Sequence, residues 1–260
     1  MRDRVRAPAR GALIATTPHS RSSAELVEAN RRFYDALWTD ARLIPPDRFN
    51  TWPLAHSLAA AAPRRLEVAP GLRPRLPLAG TEFADVSTPA LGKLRACGAS
   101  AVFGSITDLP FPDGAFDLVC ALDIVEHVDD DERALSELAR VSAPGAALLV
   151  SVPLHAARWT AFDDFVGHRR RYEPDEILAK LAKHGFTLER SAIFGMQPRS
   201  SLVLGLGTWF LTHRREQAMR LYNRVLMPLG ARFQRKLEFR PGMIDTANVD
   251  EVLLVCRRRA

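Results

Sequence analysis

Three groups of residues in this 260-residue chain have types and spacing suited to chemistry. Asp123, Glu126 and His127 put two carboxylates and an imidazole within five residues. Such a set can move a proton near neutral pH, and its oxygen and nitrogen donors can also hold a divalent ion such as Mg, Mn or Zn. A second group lies in the stretch 153–173, which carries His155, Arg158, Trp159, Asp163, Asp164, His168, three arginines and Tyr172. His155 and His168 are candidate general bases, and Tyr172 and Trp159 can stack on a planar acceptor. Asp163 and Asp164 can instead pair with Arg169, Arg170 and Arg171. The third group is the turn Glu67-Val68-Ala69-Pro70-Gly71-Leu72-Arg73, followed by Asp85 and Val86, with Asp85 18 residues after Glu67. A tight turn lets the backbone approach a ligand, and a carboxylate at the end of the next strand accepts both hydroxyls of a ribose. Alone, this pattern also fits a nicotinamide reductase.

These groups need a frame that brings them together. RRLEVA, TEFADV, ASAVFG, FDLVCALDIV, GAALLVSVPL, TLERSAIF and DEVLLVCR read as seven strands. TPALGKLRACG, DDDERALSELARV and PDEILAKLAKHGF read as helices between the later ones. Short apolar strands alternating with helices predict a mostly parallel sheet with helices on both faces. Ligands bind such sheets at the carboxyl ends of the strands, where all three groups fall. Residues 1–63 form an N-terminal arm and two helices: one through AELVEANRRFYDALWTDARL, ended by Pro45-Pro46, and one over 52–62. Residues 64–260 form the main domain. About 55 residues, 195–249, separate the last two strands, too many for a turn. They contain an apolar helix, SSLVLGLGTWFL, and a basic amphipathic one, EQAMRLYNRVLMPLGARFQRKL, bent or broken at Pro228.

Between the third and fifth strands the chain carries Leu109-Pro110-Phe111, Phe116-Asp117-Leu118-Val119, Glu126-His127, Glu137 with Arg140-Val141, and Pro144-Gly145. In this order they resemble the core of class I S-adenosylmethionine-dependent methyltransferases of the small-molecule type, over roughly residues 64–193. The resemblance implies a Rossmann-like seven-stranded sheet, S-adenosyl-L-methionine as methyl donor, and a small-molecule or lipid-like acceptor. It implies Glu67, Ala69 and Gly71 at the methionine end of the cofactor and Asp85 with Val86 at the ribose. Ser105 and Ile106 would flank the adenine, and Leu122 would lie near the sulfonium. His127 and His168, with Asp123, are the residues expected to act on the acceptor. Certain relatives carry E-x-x-E-H and bind a divalent metal through it; with Asp123 at the first position here, the reading adopted is a metal-free His127 packed near the cofactor pocket. The chain departs from the pattern at the usual glycine-rich loop, of which only Gly71 survives. Pro74 and Pro77 forbid a regular helix after it, so Arg73 is expected to replace the lost helix N-terminus by pairing with the cofactor carboxylate.

The net charge of +6 is unevenly spread, with eight basic residues against two acidic over 214–240. Such clusters attract phosphates of nucleic acid or lipid. A nucleic-acid methyltransferase is the disfavoured alternative, because Leu122-Asp123 stands where N/D-P-P-Y would and no Pro-Cys nucleophile pair is present. A non-catalytic module is the other alternative, suggested by the altered loop. The insertion reads as a helical cap or homodimer interface, or as an anchor on an anionic membrane surface through Trp209, Phe210, Met219, Leu226 and Met227. Cys97, Cys120 and Cys256 form no CxxC pair, which fits a reducing cytosol. The longest apolar run, 202–211, is about half a membrane span, so a cytoplasmic protein, peripheral at most, is expected.

Overall fold

The computed structural model describes residues 41–195 and 221–260, together with Asp35, Trp38, Thr39, His213, Arg214 and Gln217. Strands β1 (Arg65–Val68), β2 (Thr81–Asp85), β3 (Ser100–Phe103), β4 (Phe116–Ala121), β5 (Ser142–Pro153), β6 (Phe186–Ile193), β7 (Arg240–Pro241) and β8 (Glu251–Arg258) form one sheet. Their order is β3-β2-β1-β4-β5-β8-β6-β7. The pairs from β3 to β5 are parallel. β8 runs antiparallel between β5 and β6.

Helices cover both faces, which is why the central strands are apolar on both sides. On one face Leu135 and Leu138 of α3 (Asp131–Val141) and Ile177 and Leu181 of α5 (Pro174–Lys183) pack on Leu66, Val119 and Leu148. On the other, Leu54, Ala55 and Ala59 of α1 (Trp52–Ala61) pack on Leu118, Leu149 and Val255. Leu91 and Leu94 of α2 (Thr88–Ala96) cover Phe83 and Ala101. The helix starts follow local chemistry. Asp130 Oδ1 accepts from Arg133 N at 2.8 Å, and Pro174 opens α5 with Asp175 and Glu176 in its first turn.

Several elements differ from the sequence reading. The sheet has an eighth strand: β7, two residues from the end of the insertion, pairs with Arg190 and Ser191. β4 ends at Ala121 and does not run on to Val125. Asp123 adopts φ +53°, which ends the extended backbone, and Val125–His127 form a 3-10 turn. The described part of the first helix, at Asp35, Trp38 and Thr39, is helical, but residues 41–45 form no helix, so it does not reach Pro45. Lys93 Nζ meets the carbonyls of Trp38, Thr39 and Ala41 at 2.7, 2.6 and 2.7 Å, satisfying acceptors that a helix end leaves open. The basic helix continues through Pro228. A π-helical turn at Tyr222–Leu226 leads into α6 (Met227–Arg232), and the wider turn accommodates the missing proline N–H. A further helix, α4 (Ala161–Val166), lies in the 153–173 link. The apolar helix expected over 200–211, with Trp209, Phe210 and Met219, lies outside the described residues, as does the arm at 1–20. Among the described residues, no helix is long and apolar enough to cross a membrane.

Candidate functional site

No helix forms between β1 and β2, as the prolines require. The N–H groups of this loop therefore need other partners, and the two strand-end carboxylates provide them. Glu67 accepts from Arg75 N at 2.8 and 3.0 Å and from Leu76 N at 2.8 Å. Asp85 accepts from Gly71 N at 2.9 Å and Ser87 N at 2.8 Å. Burial pushes Glu67 up to about 7 and Asp85 up to about 6, against the pull of these backbone bonds. Ala69 and Gly71 both take positive φ, +54° and +53°. The cradle is walled by the N-terminal segment. Trp38 is buried against Gly71, Arg73 lies 5.0 Å from the Trp38 ring centroid, and Ser87 Oγ donates to Asp35 at 2.8 Å. Ser105 Oγ meets Thr107 Oγ1 at 2.9 Å just beyond β3, while Ile106 is buried in the core.

Beyond β4 the chain turns at Asp123. Its backbone N–H donates to Ser151 Oγ at 2.8 Å, and the Ser151 hydroxyl donates to its carboxylate. Leu122 packs with the α1-side core. Asp123 also faces Glu251 and Arg75, and Arg75 is buried with its guanidinium 3.7 Å from the Phe49 ring centroid. Thus Asp123 is held by Ser151, beside Glu251 and Arg75.

Glu126 and His127 instead meet His168. Ligand atoms of all three lie within 4.8 Å of one another. The two rings are edge to face, centroids 4.7 Å apart. Glu126 is 1% exposed and its Oε2 has no hydrogen-bond partner. Burial and the nearby Asp123 and Asp163 push its carboxyl well up. His127 is driven down to about 3 by burial and by His168, so it is neutral, as a metal ligand must be. His168 Nδ1 bonds Asp163 Oδ1 at 2.8 Å, leaving Nε2 toward Glu126 at 3.8 Å. Asp163 is itself fixed: Arg171 donates from Nε and Nη2 at 2.8 and 2.9 Å, and Thr160 caps it. Burial opposes its charge, but these partners hold it well below the usual carboxylate range. Donors of this kind fit a divalent ion, with Asp163 orienting His168 from behind.

The 153–173 link folds over this end of the sheet. Tyr172, fully buried, donates to Asp131 at 3.0 Å, so it is a core anchor and does not stack on an acceptor. Asp164 receives Trp159 Nε1, while Arg169 and Arg170 pair with Asp129 and Asp131. Only Arg171 joins Asp163 as the sequence suggested. His155 bonds the Thr246 carbonyl at 2.7 Å, tying the link to the insertion.

The structure brings Glu67, Gly71 and Asp85 together at the ends of β1 and β2. It groups Glu126, His127 and His168 beyond β4, with Asp123 beside rather than among them. Sequence reasoning missed Arg75, Glu251 and the wall formed by Trp38. A lone carboxylate opening the apolar run of β8 was the available signal for Glu251.

Residues 81–150 match the family model described as a methyltransferase domain. Ajmaline N-methyltransferase of Rauvolfia serpentina is 42% identical over 52 residues, 20% of this chain and 18% of that protein, so the match spans under a fifth of that curated relative. A SAM-dependent methyltransferase of Thermotoga maritima, a possible histamine N-methyltransferase, superposes with TM-score 0.53 at 15% identity over 92% of this chain and 97% of its own. A phosphoethanolamine N-methyltransferase of Haemonchus contortus, solved with S-adenosylhomocysteine, gives 0.54 at 15% identity over 93% of this chain and 61% of its own. At such identity the structures establish a shared fold.

Proposed function

We propose that this chain is a class I S-adenosylmethionine-dependent methyltransferase that transfers a methyl group to a small-molecule acceptor bound beneath the 153–173 link, a reading supported by the methyltransferase-domain match and the shared fold. The observation that supports this most is the presence of two built sites beyond the carboxyl ends of one sheet's strands. One is a carboxylate-and-glycine cradle, Asp85 with Gly71; the other is a histidine aligned by a buried aspartate, His168 with Asp163.

S-adenosylmethionine supplies an electrophilic methyl group on a sulfonium. Asp85 keeps lone pairs on both oxygens after its two backbone bonds, enough to accept ribose hydroxyls. Ala69, Val86, Ser105, Ile106 and Leu122 line the remaining strand ends, and Glu67 acts through the loop it holds. Arg73 is the cation nearest the loop for a carboxylate. On the acceptor side, Asp163 fixes the His168 ring so that Nε2 can take a proton from a hydroxyl or amine as it is methylated. His127 stays neutral and shapes the wall. Asp123, exposed beyond β4 and held by Ser151, orients the acceptor. Calorimetric titration with S-adenosylhomocysteine tests the cradle, and an acceptor screen with the wild-type chain and His168→Ala tests the chemistry. Absence of any binding would turn the reading to a non-catalytic module.

A second reading is favoured by one atom, the unpartnered buried Oε2 of Glu126. In it, Glu126, His127 and His168 would hold a divalent ion, which would supply Lewis-acid chemistry to an acceptor hydroxyl. Metal analysis of the purified chain, before and after EDTA, separates the two readings.

A further inference from the structure

The helical segment that closes over Phe49 is built inside out. Among its described side chains the buried ones are small or polar: Asn223 and Ala231, with Ala231 resting on Phe49 and Ile44. Its described large apolar side chains face outward. Phe233 is 77% exposed and Leu226 53%, and Leu221, Val225 and Leu229 are exposed with them. Arg224, Arg232, Arg235 and Lys236 are exposed on the same segment, and residues 221–236 contain no acidic side chain. A helix serving only as a cap would turn its leucines toward the core, since apolar burial is the main gain from packing.

An outward apolar face bordered by cations matches an interface helix. The apolar side chains enter the acyl boundary of a bilayer while guanidinium and ammonium groups meet lipid phosphates. A second copy of the chain is a poorer occupant, because a two-fold contact would bring two such acid-free, four-cation patches together. Nucleic acid would satisfy the cations but leave the leucines and Phe233 in water. We propose that residues 221–236 dock this protein onto an anionic lipid surface. The segment also touches the site. Asn50 N donates to Gln234 at 2.6 Å, and Phe49, on which Ala231 rests, carries the Arg75 guanidinium beside Asp123. On the methyl-transfer reading, docking would bring the acceptor side of the cleft close to the bilayer and suit a lipid-dissolved acceptor; the docking itself does not depend on that reading.

Co-sedimentation of the full chain with phosphatidylcholine vesicles, with and without phosphatidylglycerol, tests the proposal. Binding is expected only to the anionic vesicles, weakening as salt is raised. Leu226→Asp combined with Phe233→Asp should abolish it, and Arg232→Glu combined with Arg235→Glu should remove its salt dependence and most of its strength. All four positions are exposed, so melting temperature and S-adenosylhomocysteine affinity should stay at wild-type values. Those two readouts report on the fold and the cofactor site independently of lipid. Absence of wild-type binding to anionic vesicles, or binding unchanged in both double variants, overturns the proposal. So does a concentration-dependent dimer, seen by light scattering, that the Leu226/Phe233 variant abolishes.

Discussion

The indole of Trp38 lies so close to Gly71 that a β-carbon on the glycine would come within 2.2 Å of Cζ2. Gly71 also sits at φ +53°. Gly71→Ala should therefore combine backbone strain with a steric clash, costing about 1–3 kcal/mol from the strain alone. Urea denaturation checks this, and a variant as stable as wild type would show that Trp38 does not pack there. Trp38→Ala should cost about 3–5 kcal/mol, as for other buried tryptophans.

Cofactor affinity should depend on pH through Asp85. Its carboxyl is pushed up to about 6 by burial, and the ribose hydroxyls need the ionised form as acceptor. Affinity for S-adenosylhomocysteine should be level above pH 7 and fall by about tenfold per unit below pH 6. Asp85→Asn should bind weakly with no such slope. Titrations across this range decide it, and a level profile for wild type would remove Asp85 from the site.

His168→Ala should lower turnover by about 10²–10⁴-fold while leaving S-adenosylhomocysteine affinity unchanged. Asp163→Asn should lower it less, because the ring stays but loses its alignment. Full activity in His168→Ala would exclude it as the base. Should the metal reading hold, Glu126→Gln and His168→Ala should both lose bound metal, measured per chain.

Glu137 joins two elements through Arg140. It takes Arg140 Nε and Nη2, each at 2.8 Å, and Leu109 N at 2.9 Å. Arg140 also reaches the Leu109 and Phe111 carbonyls at 2.9 and 2.7 Å. Glu137→Ala should cost about 3 kcal/mol by leaving these groups unpaired. The Arg140 bond lowers the folded-state pKa of Glu137 despite burial. Its stabilisation is therefore present above the unfolded carboxylate pKa and lost as pH falls through the folded value. Denaturation of wild type and variant at neutral and acid pH should show the gap closing.

The pair Glu137–Arg140 also shows what could be read from the sequence. Both belong to a local motif on which the resemblance rests, as does Glu126 in the turn beyond β4, while Glu67 and Asp85 could be placed at the ends of their strands from local sequence. The prolines at 74 and 77 correctly predicted a loop without a helix. What stayed hidden were contacts between distant segments. Trp38 reads as one more apolar residue on an amphipathic helix until the fold sets it on Gly71. Asp163 looks like an arginine partner until His168 turns back on it. The positive φ of Asp123 turns the chain so that its carboxylate meets Ser151, and no spacing rule contains that turn.

The placement of β8 has a consequence for how the chain is made. β8 lies between β5 and β6, so during synthesis both strands are available long before the one that joins them. Until residues 251–258 leave the ribosome, the edges of β5 and β6 have no partner and remain able to pair with other nascent chains. Stalled or slowly translated chains should therefore be the principal source of insoluble product.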